Sequence, residues 1–273
     1  MWKKGQMISK GSHCRAYLGI NMVTGKLLVV KEYAVRSKEE QKRLALDKDT
    51  FFKLDHVNLV QILGLEESKS NFIVFEEYVT GSSLRSLMPK DGKLEDSVIR
   101  SFARQTTAAL AYLHSEGVLH RNLEADEIQL NTGNGTCKLC LNFDTSRTSN
   151  WPDKESSAIG AGTWLAPEVV RSSGNGYSAK ADVWSLGCCV LEMMAGDRPW
   201  SLGAIYMPPS LAPPIPDDVA AEANTEGIAF IYDCFTIDPS ERPSADTLLR
   251  NHPYIEIDPT YDFLRTELYA KIK

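Results

Sequence analysis

The sequence predicts an α+β protein in two parts, a strand-rich segment over about the first 80 residues and a mainly helical remainder. Apolar and polar residues alternate with period two in the early segment, punctuated by turn residues. From Gly81 onward apolar residues recur at the three- and four-residue spacing of buried helix faces.

The elements follow in order. Met7–Tyr17 and Leu27–Tyr33 read as strands around the turn Asn21–Gly25. Lys38–Leu54 reads as a helix, with Leu44, Phe51 and Leu54 on one face and charges on the other. Val57–Leu65 and Asn71–Tyr78 are strand-like. Ser97–Ser115 and Ala181–Ala195 carry helical periodicity. Asn131–Gly135 is a turn between two short strands, and Pro208–Pro216 is a loop. Cys137 and Cys140, at positions i and i+3 of a strand-like run, point to opposite faces, so the CxxC spacing is assigned a structural role rather than half of a metal site.

Composition narrows the functions. With 43% apolar and 24% charged residues the chain is built to fold. A net charge of −6 gives no general attraction to nucleic acid or anionic lipid. Charges interrupt every apolar stretch before it is long enough to span a membrane. Met1–Gly5 lacks the apolar run of a signal peptide, and six cysteines in a chain this large fit a reduced, cytoplasmic setting.

A series of motifs then appears in a fixed order. Leu28-Val29-Val30-Lys31 is followed by His56-Val57-Asn58-Leu59-Val60, His120-Arg121-Asn122, Asn142-Phe143-Asp144 and Ala166-Pro167-Glu168. Asp182-Val183-Trp184-Ser185-Leu186-Gly187 and Arg242-Pro243 complete it. In this order they resemble the V-A-I-K, H-P-N-I-V, H-R-D, D-F-G, A-P-E and D-V-W-S-L-G landmarks and the late Arg of the eukaryotic protein kinase family, over essentially the whole length. The wording around Trp2, Lys31 and Ala166 is most similar to the MAP-kinase-kinase-kinase branch. The resemblance implies one bilobal kinase-like domain over residues 1–273, with an N-lobe of about 1–78 carrying one C-helix, a hinge of about 77–82 and a helical C-lobe of about 83–273. It further implies a buried Glu168–Arg242 ion pair, Asp182 bound to the backbone near His120, and a regulatory stack of Phe51, Ile62, Phe143 and His120.

The same resemblance exposes what is missing. Phosphoryl transfer needs metal held on phosphate and an oriented acceptor hydroxyl. Asn122 stands at the catalytic Asp, and an amide oxygen is no general base. Asn142 stands at the metal-binding Asp, a poor ligand for Mg²⁺; Glu127 replaces the second metal ligand. Glu124 replaces the Lys that meets the transferring phosphate, inverting charge where negative charge develops.

The expected nucleotide site is equally altered. Of the glycine-rich loop Ser9–Cys14 only Gly11 survives. Val29 forms the adenine ceiling, Gln129 its floor, and Glu76 the back of the pocket, where an unpaired carboxylate would be costly or protonate. Asp47 maps to the partner of Lys31.

Each departure has a bland alternative. A lone Asn leaves room for slow activity, and some active kinases tolerate a degenerate loop. Lys31 serves either as a structural ion pair or as a metal-free nucleotide ligand. Glu127 or Asp144 could supply a metal carboxylate from a shifted position. Their agreement in one chain selects an inactive kinase domain, a pseudokinase acting as a protein-binding or allosteric module. No metal or cofactor is expected, and the partner is a protein, an active kinase among the candidates. The alternatives are a weak or atypical serine/threonine kinase using Lys31 and Glu127, with ATP as cofactor, and a purely structural domain. Thr145, Ser146, Thr148, Ser149, Ser156, Ser157 and Thr163 are possible phosphosites to which no role is assigned. A missing pair of residues after Gly162-Thr163, and the short Trp200–Pro216 segment, put peptide docking in doubt.

Overall fold

Strand β1 (Trp2–Lys10) opens the chain and runs antiparallel to β2 (Cys14–Asn21), which pairs in turn with β3 (Leu27–Ala34). The structure, a computed structural model, describes residues 1–11, 14–35, 37–46, 48–68, 70–88, 93–143, 145–148, 164–171, 177–198 and 212–273. After β3 come helices α1 (Lys38–Leu46) and α2 (Lys48–Phe51), then strands β4 (Ile62–Glu67) and β5 (Asn71–Glu77). The five strands form one antiparallel sheet in the order β1-β2-β3-β5-β4. The turn after β2 is built as the sequence predicts. Asn21 Oδ1 accepts from the backbone N–H of Val23 and Thr24, and Gly25 takes φ 70°, where a side chain would be strained.

Register decides what faces inward. Val29, Lys31 and Tyr33 on β3 lie opposite Glu76, Val74 and Phe72 on β5, so these six residues share one face. Tyr33, Phe72 and Val74 join the main core there. Leu28, Val30 and Phe75 form a separate cluster on the other face, covered by Trp2 and Tyr17.

The second half begins with β6 (Gly81–Ser83) and α3 (Leu84–Leu87). Helix α4 (Asp96–Ser115) buries Val98, Ile99, Phe102, Ala103, Leu110 and Leu113 along one stripe. Two short hairpin strands, β8 (Ile128–Asn131) and β9 (Thr136–Leu139), follow β7 (Val118–Leu119) and flank the predicted turn. Next come β10 (Arg147–Thr148), paired with β7, and α5 (Pro167–Arg171). In α6 (Ala179–Ala195) every residue from Ala181 to Met194 is buried, so the helix runs through the middle of the half. Ser178 caps its start, and Gly196 ends it at φ 75° with its N–H on Glu192 O. Helices α7 (Asp217–Glu222), α8 (Thr225–Cys234), α9 (Ala245–Asn251) and α10 (Glu267–Ile272) complete the chain. The α+β class and the strand-then-helix order are those predicted.

Three boundaries differ from the sequence reading. Met7–Tyr17 is two strands, because the chain reverses after Gly11, whose N–H bonds Cys14 O at 2.8 Å. Alternation persists on both arms and hides the reversal. Lys38–Leu54 is two helices ending at Phe51, although Leu44, Phe51 and Leu54 are all buried as expected. Val57–Leu65 becomes a strand only at Ile62. Leu59 N bonds His56 O, Asn58 N bonds His56 Nδ1, and Val57 is exposed, so Val57 and Asn58 form a turn, and Leu59 makes an isolated parallel bridge to Leu139 rather than part of a strand. Cys137 is buried within β9 and Cys140 just beyond it, and none of the six cysteines, all of them described, forms a disulfide. The predicted loop Pro208–Pro216 lies outside the described residues up to 211 and is irregular over 212–216.

Candidate functional site

The inward face of β3 and β5 meets the segments after β7 and β9, and this junction gathers Lys31, Glu76, Leu141 and Asn142. Lys31 is 8% exposed and Glu76 3%. They are diagonal neighbours on that face, within reach of long side chains. Lys31 Nζ lies 3.0 Å from Glu76 Oε1, donates to Leu141 O at 3.1 Å and reaches Asn142 Oδ1 at 3.4 Å. Three acceptors thus face the three N–H donors of one ammonium. Burial works against the lysine's charge, but Glu76, with help from Glu127, more than offsets it and raises the pKa. An unpaired carboxylate at Glu76 would be costly or would protonate. Glu76 is buried, but Lys31 pairs with it, opposing the upward push of desolvation on its carboxyl. Asp47, the expected partner of Lys31, lies outside the described residues, as does Asp144.

Glu127 closes a 3-10 turn, Ala125–Glu127, that leads into β8. Its backbone carbonyl accepts from Cys140 N, which docks the turn onto the end of β9. Burial pushes its carboxyl up to about 7, against the pull of Lys31 and the Asn142 amide. Asn142 thus meets the cation at 3.4 Å and also eases the charge on the second carboxyl. Phe143, next in the chain, sits among aromatics with ring centroids 5.0 Å from Phe51, 5.4 Å from Phe72 and 6.3 Å from Tyr33. Its N–H bonds Tyr33 Oη. Ile62 and His120 are buried as well.

The His120–Asn122 segment is held from below. Asp182 Oδ2 accepts from His120 N and His114 Nε2, and Oδ1 accepts from Arg121 N and Tyr177 Oη, all within 2.7–2.9 Å. Burial alone would raise the Asp182 pKa, but these bonds hold it low. They also fix Arg121 at φ 66°, a left-handed conformation that needs such support. His120 donates from Nε2 to Cys140 O and accepts Asn122 N–H at Nδ1, and burial keeps the ring neutral. Asn122 Nδ2 turns toward Glu124 Oε1 at 3.5 Å. Glu124 in turn meets the Arg198 guanidinium at 3.4 Å, a partner the sequence reading missed. Arg198 also reaches Asp126 and, at 3.8 Å, the buried Glu192, which Arg85 holds at 2.7 Å. Burial raises Glu192 to about 7 against that pull.

Val29 and Gln129 are half-buried. Gln129 Nε2 bonds Asp126 O, while its neighbours Ile128 and Leu130 point into the core. Gly11 spends its N–H on Cys14 O within its own loop. Of the possible phosphosites, Ser146 is fully buried with its hydroxyl on His120 O, and Thr145 is 9% exposed. Ser149, Ser156, Ser157 and Thr163 lie outside the described residues, as does the Gly162-Thr163 junction. Deeper in the helical half Arg242 forks onto Glu168 at 2.8 and 3.1 Å and also donates to Lys180 O and Thr236 O. Among the described residues no group of three or more His, Cys, Asp or Glu side chains is placed to hold a metal ion, and no helix is long and apolar enough to cross a membrane.

A family model described as protein kinase domain matches residues 2–255. The mitogen-activated protein kinase kinase kinase mkh1 of Cytospora mali is 48% identical over 289 residues, which cover 100% of this chain and 16% of that protein. Serine/threonine-protein kinase BCK1/SLK1/SSP31 of Saccharomyces cerevisiae is 39% identical over 288 residues, 100% of this chain and 19% of its own length. This chain thus spans less than a fifth of each of these relatives. Among solved structures, that of Rad53 residues 1–466 in complex with AMP-PNP superposes with a TM-score of 0.74 at 24% identity, covering 93% of this chain and 65% of that one.

Proposed function

This chain belongs to the protein kinase domain family, with MAP kinase kinase kinases among its relatives, and on that premise we propose that it is a catalytically inactive member acting as a protein-binding or allosteric module. The observation that carries the proposal is the charge inventory of the cleft. Amides stand at Asn122 and Asn142, carboxylates at Glu76, Glu124 and Glu127, and the ammonium of Lys31 has its donors turned to protein acceptors. A triphosphate and its Mg²⁺ need the reverse, carboxylates on the metal and free cations on the phosphates. The residues present do not fit Mg-ATP, and no step of phosphate transfer is assigned to them.

The retained framework supports the second half of the proposal. The Asp182 bonds, the Arg242–Glu168 fork and the Phe51–Phe143 contact keep a kinase-shaped surface without the chemistry. One of these relatives is named as a kinase acting on kinases, so a protein kinase is the partner class we propose, and the cysteine usage supports a cytoplasmic setting.

The test is phosphate transfer from labelled ATP with Mg²⁺ or Mn²⁺, for which no turnover above background is expected. Turnover that disappears in Lys31→Ala would overturn the reading. The second reading, a weak or atypical serine/threonine kinase, draws on Glu127 lying beside Asn142 and Lys31. A bound nucleotide at a hundredfold excess over Kd stabilises by about 2.7 kcal/mol. Metal-dependent thermal stabilisation by ATP would favour this second reading; the first expects none.

A further inference from the structure

We propose that Glu76 is the specificity-determining residue of the cleft, excluding phosphate-bearing nucleotides by engaging Lys31 from within the sheet. The inference rests on the inactive-kinase reading and deepens it. It concerns binding rather than transfer.

The geometry is fixed by the backbone. Glu76 is the penultimate residue of β5, and its cross-strand partner on β3 is Val29, two residues from Lys31 on the same face. Both strands are inside the sheet, with neighbours on each side, so neither side chain's origin can shift without breaking the ladder. The carboxylate therefore emerges next to the ammonium, and the two side chains are 3% and 11% exposed. Among the described residues, Lys31 is the cation within ion-pair distance of Glu76. Leu141 O and Asn142 Oδ1 take the other two directions, so Lys31 has no N–H left for a ligand oxygen. A phosphate entering the cleft would have to displace Glu76 from Lys31 and leave a buried carboxylate beside its own negative charge. A ligand without phosphate meets no such demand. The loss of metal ligands at Asn142 and of the base at Asn122 explains absent chemistry. The Lys31–Glu76 pair explains, separately, absent affinity for the anion.

The proposal predicts that neutralising one side chain restores anion binding. The proteins to compare are the wild type, Glu76→Gln, which keeps the shape, and Glu76→Met, which keeps the length and leaves no polar group to satisfy. The probes are ADP and adenosine, titrated calorimetrically in buffer with chelator so that metal plays no part. A charged hydrogen bond regained by phosphate corresponds to at least about tenfold in affinity. The expected result is an ADP affinity at least that much tighter in both variants, an unchanged adenosine affinity, and loss of the gain when Lys31→Met is added.

Equal ADP affinity in wild type and variants overturns the proposal. So does an equal gain for adenosine, because Glu76 would then act by filling space rather than by holding Lys31. The second variant keeps the comparison available if the first does not fold. Phosphate transfer measured on the same proteins speaks to the other reading alone. Wild-type turnover would sink inactivity whatever the binding ratio, and an unchanged ratio without turnover would sink only the role of Glu76.

Discussion

An asparagine at position 142 does something an aspartate there could not. Its carbonyl oxygen accepts from Lys31, and the same side chain holds the Glu127 carboxyl down against burial, so one neutral side chain acts on a cation and on an anion. An aspartate in that place would face Glu127 with like charge and call for a metal ion between them. The residual strain falls on Glu127, whose folded-state pKa of about 7 stands above its ordinary value of 4.5. Between those values the folded protein binds the proton more tightly than the unfolded chain, so this group's contribution to stability is full below pH 4.5 and is lost as pH rises through 7. Glu127→Gln removes the dependence. Urea midpoints should show the variant more stable than the wild type by about 1–3 kcal/mol at alkaline pH, each pKa unit being about 1.4 kcal/mol, with the gap closing in acid. A gap that does not change with pH would contradict the assignment. Arg242 poses the opposite case, a fully buried cation with its fork filled by Glu168, Lys180 O and Thr236 O. Arg242→Met takes the guanidinium away from the Glu168 carboxylate and from two carbonyls and should cost about 3–5 kcal/mol in a denaturant titration.

Helix α6 shows how closely the elements of the helical half approach one another. A methyl group added at Gly187 would lie 2.5 Å from Cys234 Cβ and 2.9 Å from the Phe235 ring, so α8 sits against bare backbone at that turn. Helix propensity alone favours Gly187→Ala by about 1 kcal/mol. The overlap with Cys234 Cβ, which cannot swing away, costs about 1–3 kcal/mol and should set the sign. A lowered melting temperature is expected, and a raised one would mean that α8 is free to move outward. The long elements were legible because their periodicity is uninterrupted. Helices α4 and α6, strand β5 and the turn at Asn131–Gly135 stand where the pattern puts them. The reversal at Gly11 and the turn at Val57–Asn58 were not legible, because period-two alternation carries no direction and His56 takes the N–H groups of Asn58 and Leu59 locally. At the site, Lys31, Glu76, Glu124 and Glu127 could all be named from motifs, but not who pairs with whom. The Lys31–Glu76 contact depends on β3–β5 register, and the partner of Glu124 is Arg198, from a distant stretch of chain.

The molecule as a whole is tied together at Lys31. Its stem rises from the sheet, and its ammonium donates to Leu141 O and reaches Asn142 Oδ1, on the segment that follows β9 in the helical half, while Glu76 anchors it from β5. In a kinase with an open phosphate site, replacing this lysine removes a ligand contact. Here it removes a staple between two halves and leaves a buried carboxylate alone. Lys31→Met is therefore expected to destabilise the folded protein by about 3–5 kcal/mol near neutral pH, read by thermal or urea unfolding. The loss should shrink in acid, because Glu76 without its cation takes up a proton more readily in the folded state than in the unfolded chain. Adding Glu76→Met to Lys31→Met substitutes apolar contact for the ion pair and should recover most of the loss, giving a coupling above about 1 kcal/mol in the double-mutant cycle. Strict additivity of the two substitutions would mean that the ammonium and the carboxylate act independently, and that the halves are held by other contacts, among them the Phe51–Phe143 rings and the backbone bonds of Asn58 and Val60 to Leu139.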